Sequence, residues 1–159
     1  MELRSPYKGG ENLKNKNMSS QRVEFQTTDN VKIVADYYGP STTSTKGIVL
    51  VHMMPATRKS WEELGIRLQE LGFHALAIDL RGHGESSGGD YRAFSDAEHH
   101  ASIQDLEAAT KFLEDKGVTD LAVAGASIGA NLALQYLAEH PEKTTVAELL
   151  SPGLDYRGI

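Results

Sequence analysis

Three short apolar runs, GIVLVH from Gly47, FHALAIDL from Phe73 and DLAVAGA from Asp120, are separated by stretches in which apolar residues recur every third and fourth position. Runs this short read as strands covered on both faces, and the three-four spacing between them reads as amphipathic helix. Strands alternating with helices imply parallel strands joined by right-handed crossovers, so the chain is expected to build an α/β fold, a mostly parallel, doubly wound sheet. Ahead of the first run, RVEFQTT alternates Val23, Phe25 and Thr27 on one face, Asp29-Asn30 turns the chain, and VKIVADYY resumes the alternation. That is an antiparallel hairpin at the amino-terminal edge. With TVAELL near the carboxyl terminus as a last strand, the sheet has about six strands.

The helices carry their own punctuation. Ser60 with Glu63 has the spacing of a capping box, and Trp61, Leu64, Leu68 and Leu71 are expected to face inward before Gly72 ends the helix. Ser95 with Glu98 opens a second helix carrying Ile103, Leu106, Ala109 and Leu113 as far as Gly117. A third runs from Ile128 to His140 with Leu132, Tyr136 and Leu137 inward and Pro141 just beyond.

Composition limits what this frame can do. A chain of 159 residues with 40% apolar and 24% charged residues fits one folded domain, expected over residues 21–159, and no internal repeat is present. Residues 1–20 carry four basic and two acidic residues without apolar periodicity and are expected to form a loosely ordered tail. Without cysteine there is no disulfide, no thiolate-ligated zinc and no thiol nucleophile. A net charge of -6 argues against a nucleic-acid surface, which needs clustered Lys and Arg. No apolar run approaches the ~18 residues that span a bilayer, and the amino terminus lacks the apolar stretch of a signal peptide, so a cytoplasmic location is expected. His99 and His100 do not suggest a metal, because neighbouring residues on a helix point about 100° apart and no third ligand is spaced to join them. No metal or cofactor is expected.

The chemistry sits where strands end. Gly125-Ala126-Ser127-Ile128-Gly129 is G-x-S-x-G, reached by an apolar strand and followed at once by an amphipathic helix. A serine on so sharp a turn is lifted clear of the sheet edge, small residues on either side let strand and helix approach, and the helix start aims free N–H groups at a developing oxyanion. Two further loops leave the same end of the sheet. His52-Met53-Met54-Pro55 follows the first buried strand and can turn a backbone N–H toward the space above Ser127, while Asp79-Leu80-Arg81-Gly82-His83-Gly84-Glu85-Ser86 follows the second. His52 is the candidate base nearest the elbow, with orientation of its loop as the alternative role. His83 is read as a loop residue tying its turn together by hydrogen bonds.

In this order and spacing, VHMMPATRKSW, DLRGHGES and GASIG resemble the α/β-hydrolase superfamily, and Gly47 to Ile159 looks like the amino-terminal part of an esterase or lysophospholipase-like member. The resemblance implies Ser127 as nucleophile and the backbone N–H groups of Ile128 and Met54 as oxyanion hole. It also implies a small ester or acyl substrate. Two departures matter. Met53 stands where the family commonly has glycine, and the acid and histidine that follow the nucleophile in the family order are missing, together with the last strands, so the expected fold is a truncated α/β-hydrolase. Asp155, after the last predicted strand, is the one candidate acid, with a plain loop carboxylate as the alternative. His140 ends the helix that leads away from Ser127, about 20 Å along its axis, and is read as a cation at the helix terminus.

The sequence therefore predicts a serine esterase acting through an acyl-serine intermediate, crippled or dependent on a partner for its base. The alternative is a non-catalytic fragment or interaction module on the same fold. In either case Thr144 to Leu150 is expected to form a bare apolar edge, recruiting a second copy of the chain as a homo-oligomer or a complementing carboxyl-terminal fragment.

Overall fold

The computed structural model describes residues 19–154 and Ile159. The predicted tail, apart from its last two residues, and the candidate acid Asp155 lie outside the described residues. Six strands form one sheet: β1 (Gln21–Gln26), β2 (Lys32–Tyr38), β3 (Lys46–Val51), β4 (His74–Ile78), β5 (Asp120–Ala126) and β6 (Thr144–Leu150). Their order is β1-β2-β4-β3-β5-β6. The hairpin β1-β2 is antiparallel and β2 also meets β4 antiparallel, whereas β4, β3, β5 and β6 run parallel. This is the mixed, mostly parallel sheet that the alternation of strands and helices implied.

Both faces are covered, which is why the central strands read as continuous apolar runs. Along β3 the side chains alternate: Val49 and Val51 join the larger core with Leu76, Ile78, Leu106, Leu113, Val123 and Leu132, and Leu50 joins a smaller one with Tyr38, Trp61, Ala75 and Ala77. The larger core lies beneath α3 (Ile103–Asp115) and α4 (Ile128–Glu139), and the smaller beneath α1 (Glu62–Glu70). Phe25 of the hairpin stacks on Phe112 of α3 with ring centroids 5.5 Å apart, which anchors β1 to the larger core.

Three helical details depart from expectation. The predicted capping box at Ser60 is absent, because Ser60 lies inside a single 3-10 turn, Arg58–Trp61, and its hydroxyl donates to the Thr57 carbonyl at 2.9 Å. The inward face of α1 is also different: Leu64 is 40% exposed and Leu71 72% exposed, while Gly65 is buried. A Cβ on Gly65 would lie 2.5 Å from the Tyr38 ring, so the helix seats on that ring through the residue without a side chain. At Ser95 the capping box does form, with Ser95 Oγ accepting from the Glu98 N–H and Glu98 accepting from the Ser95 N–H. The helix it opens is short, however. α2 (Asp96–His100) ends before Ala101 and Ser102, and α3 starts anew at Ile103.

β6 is the last strand of the sheet order and pairs only with β5 among the described residues. Val146 and Leu150 are exposed along it. No helix among the described residues is long and apolar enough to cross a membrane.

Candidate active site

β5 runs into α4 through one residue, Ser127, whose backbone takes φ 52° and ψ -118°. This is a left-handed conformation that a residue with a Cβ adopts only at a cost of about 1–3 kcal/mol, held by its surroundings. Those surroundings are tight. A Cβ on Gly125 would lie 2.0 Å from the Gly129 carbonyl oxygen, and one on Gly129 would lie 2.4 Å from the Val51 carbonyl oxygen. Only glycine at both positions lets β5, α4 and β3 meet. The Ser127 N–H donates to the Leu150 carbonyl at 2.9 Å, and the Ser127 carbonyl accepts from Ala130 and Asn131 as the first turn of α4 forms. The elbow is thus bonded to the end of β6 on one side and continuous with a helix on the other. Ile128 is the first residue of that helix, so its N–H has no carbonyl one turn earlier to pair with.

The loop after β3 carries Met54, whose N–H the sequence offers as a second backbone donor, and the loop's orientation follows from hydrogen bonding. His52 Nε2 accepts from the Leu80 N–H at 3.1 Å. A backbone N–H only donates, so that nitrogen carries no proton and Nδ1 does, donating to the Met53 carbonyl at 2.9 Å. The same carbonyl accepts from the Ala56 N–H at 2.8 Å. With the Met53 C=O held twice, the N–H of Met54 in the same planar peptide is aimed the opposite way. Met54 itself packs its side chain against the larger core.

His52 therefore ties the loop of Met53 and Met54 to the start of the loop after β4. Both its ring nitrogens are committed, and neither is left to take a proton from Ser127. Burial pushes its pKa down to about 4, with the bond to the Met53 carbonyl opposing this less strongly. Since the folded state holds His52 neutral, the unfolded chain binds the extra proton between pH 6.5 and pH 4, and stability is lost as pH falls through that window. The expected loss is about 3 kcal/mol. Urea unfolding from pH 7.5 to pH 4 should show this slope in the parent chain and a flatter one in His52→Gln.

The third loop is built on Asp79, which is fully buried at the end of β4. One carboxylate oxygen accepts from the Arg58 N–H at 2.7 Å, and the other accepts from the Arg58 guanidinium and from the Glu85 N–H at 2.9 Å. Gly84 sits at φ 52°, and a Cβ there would lie 2.1 Å from Asp79 Oδ2, so only glycine fits against the carboxylate. Arg58 continues outward, with Nε 3.1 Å from Asp36 Oδ1 and Nη2 2.6 Å from Glu85 Oε1. The bonds from Arg58 and Arg22 hold the Glu85 carboxyl down at about 2. One arginine thereby ties β2, the loop of Met53 and Met54, and the glycine-rich loop into a single unit. His83 does what was expected of it, its Nδ1 bonding the Arg81 carbonyl at 3.0 Å while its ring stacks on Tyr91 at 3.9 Å between centroids.

These loops border a cleft of about 400 Å³ lined by Met53, Ser60, Trp61, Ala126, Ser127, Leu150 and Ser151. Ser127, the end of β6 and Met53 thus share one open space. His140 is elsewhere, past the far end of α4, with its ring 4.6 Å from that of Tyr136. A residue with no mark in the sequence also contributes: buried Asn131 accepts from the Gly153 N–H at 2.9 Å and donates to the Ile159 carbonyl at 3.0 Å, pinning the chain after β6 onto α4.

Comparison with known proteins agrees with this geometry. Residues 47–152 match the family described as alpha/beta hydrolase fold. An esterase of Pyrococcus furiosus superposes with a TM-score of 0.71 at 28% identity, covering 85% of this chain and 53% of the esterase. A Mycobacterium phage D29 protein with the provisional name non-heme haloperoxidase is 30% identical over 122 residues, which is 74% of this chain and 41% of the phage protein. The zebrafish (Danio rerio) protein ABHD14A is 35% identical over 96 residues, 58% of this chain and 33% of that protein. The chain spans about half the length of the esterase and less than half that of the two curated relatives. With the fold, the strained serine between β5 and α4 and the family match in agreement, the chain belongs to the alpha/beta hydrolase fold family.

Proposed function

We propose that this chain carries the nucleophile half of a carboxylic-ester hydrolase, with Ser127 as nucleophile and the N–H groups of Met54 and Ile128 as oxyanion hole. The observation that carries the reading is the backbone of Ser127, held at φ 52° between two glycines and beside an open cleft. Strain of this kind persists where a side chain must be presented to a ligand. Ser127 Oγ attacks the ester carbonyl carbon, its proton passes to a base, and the oxyanion accepts the two backbone N–H bonds. Collapse breaks the carbonyl carbon–alkoxy bond, and the base returns the proton to the departing alcohol. Water then attacks the acyl-serine by the same route, releasing the acid and restoring Ser127.

With His52 occupied by backbone groups, the base comes from residues outside this chain's described part. A complementing carboxyl-terminal segment laid along β6 is the source that fits best, because the Leu150 carbonyl already bonds the elbow and β6 pairs only with β5 among the described residues. Asp155 is the acid to test in that arrangement. A second reading, a non-catalytic module that self-associates through β6, draws on the exposure of Val146 and Leu150. A soluble, cytoplasmic protein with no metal or cofactor suits either.

The test is Ser127-dependent release of p-nitrophenol from a short-chain ester. With imidazole added as the external base, the parent chain should exceed Ser127→Ala by at least tenfold, and equal rates with imidazole present favour the second reading. Ser127→Gly should gain about 1 kcal/mol of stability by relieving the left-handed backbone while losing the activity.

A further inference from the structure

The cleft beside Ser127 has a chemical character that says which acyl groups it takes. Among the described residues its lining side chains are all uncharged: Met53, Trp61, Ala126 and Leu150 are apolar, and Ser60, Ser127 and Ser151 bring hydroxyls. A charged acyl group would lose its water here and meet no counter-ion. Met53 is 46% exposed and Leu150 45% exposed, and because both border the same cleft they form a shared apolar rim of the kind that marks a ligand-binding groove. Trp61, by contrast, is 9% exposed and belongs to the smaller core, so its indole is a fixed wall. Between a rigid tryptophan and a flexible, polarisable methionine, an aliphatic chain can be gripped along its length. A cavity of about 150 Å³ holds one benzene, so the 400 Å³ cleft has room for an acyl chain of roughly eight to ten carbons.

We propose that this cleft binds an unbranched, uncharged aliphatic acyl group of medium length, and that Met53 is the specificity-determining residue for it. Met53 stands at the rim of the cleft on the loop whose carbonyl His52 and Ala56 hold, so its side chain is carried by a fixed backbone. Removing it opens one wall without touching the oxyanion N–H of Met54. The inference deepens the ester-hydrolase reading, yet it can be tested without turnover, because Trp61 is the only tryptophan of the chain and lines the cleft.

Trp61 emission is titrated with acetate, butyrate, hexanoate and octanoate, and with adipate as a chain charged at both ends. Each added methylene should lower the dissociation constant about threefold. Octanoate should saturate, while acetate and adipate should leave the emission unchanged. Met53→Gly should weaken octanoate binding about tenfold, Met53→Leu should stay within about threefold of the parent, and Ser127→Ala should bind as the parent does. Affinity independent of chain length, adipate binding as tightly as hexanoate, or an unaltered octanoate constant in Met53→Gly overturns the proposal. Octanoate binding that persists in a chain whose ester turnover does not depend on Ser127 would leave this inference standing and remove the hydrolase reading. Ser127-dependent turnover with no preference between acetyl and octanoyl esters would do the reverse.

Discussion

Arg58→Met is expected to destabilise the fold by about 4 kcal/mol, among the largest effects of any single substitution away from the central strands. The guanidinium is 3% exposed and meets Asp79, which is fully buried, and Asp36, whose side chain is 2% exposed. Deleting the cation leaves the fully buried Asp79 carboxylate with two backbone N–H donors and no counter-charge, and Asp36 with Lys59 alone at 2.6 Å, and the uncompensated charge on Asp79, more than the lost attraction, is what costs stability. Methionine matches the length of the stem, so packing changes little. Adding Asp79→Asn to Arg58→Met should recover part of the loss by removing that charge, although the Arg58 and Glu85 N–H groups still need the acceptor oxygens. Chemical denaturation of the two variants and the parent measures both steps. A single-variant loss below about 1 kcal/mol would mean that the network is a surface-like ion pair and does not brace the loops.

Gly129→Ala should cost about 3 kcal/mol or prevent folding, although alanine favours helices and Gly129 is helical. The added methyl would meet the carbonyl oxygens of Val51 at 2.4 Å and His52 at 2.8 Å, and both are backbone atoms of the strand end and loop that set the oxyanion donor. Neither can rotate away. β3 and α4 must separate, moving Met54 from Ser127, so any folded Gly129→Ala should also lose the proposed Ser127-dependent ester turnover. Gly72→Ala is the control, since nothing lies within 4 Å of a Cβ there and only its φ of 83° opposes the change. Its cost should stay near 1 kcal/mol with activity intact.

The strands and the elbow were legible because their signals are local. A buried parallel strand must be apolar throughout, and a strand that turns into a helix through one serine needs small neighbours, both visible in GIVLVH and GASIG. What escaped depends on partners far along the chain. The face of α1 was misassigned because its key contact is Gly65 against Tyr38, and hydrophobic spacing cannot weigh a residue chosen for having no side chain. The S-x-x-E pattern occurs at both Ser60 and Ser95, yet only Ser95 stands before a helix, with Ser60 absorbed by a 3-10 turn that delivers Arg58 to Asp79. Arg58 itself lies 21 residues from Asp79 and 27 from Glu85, so neither composition nor periodicity ties them together. Asp79 was noticed only as the head of a glycine-rich loop, and Asn131 not at all, although each anchors a segment at the cleft end of the sheet. His52 is a candidate base by position, and what sequence cannot show is that its Nε2 takes the Leu80 N–H and its Nδ1 the Met53 carbonyl.

The central claim is that Ser127 is a nucleophile presented to an acyl group, and the most direct measurement is covalent trapping. The chain is incubated with an excess of p-nitrophenyl octanoate and with imidazole as the external base, quenched in acid and analysed by peptide mass spectrometry. The account predicts one octanoyl group per chain, on the peptide that contains Ser127, and its loss in Ser127→Ala. An adduct spread over lysines to the same extent in both proteins, or an unmodified Ser127 peptide at the end of the incubation, would contradict it.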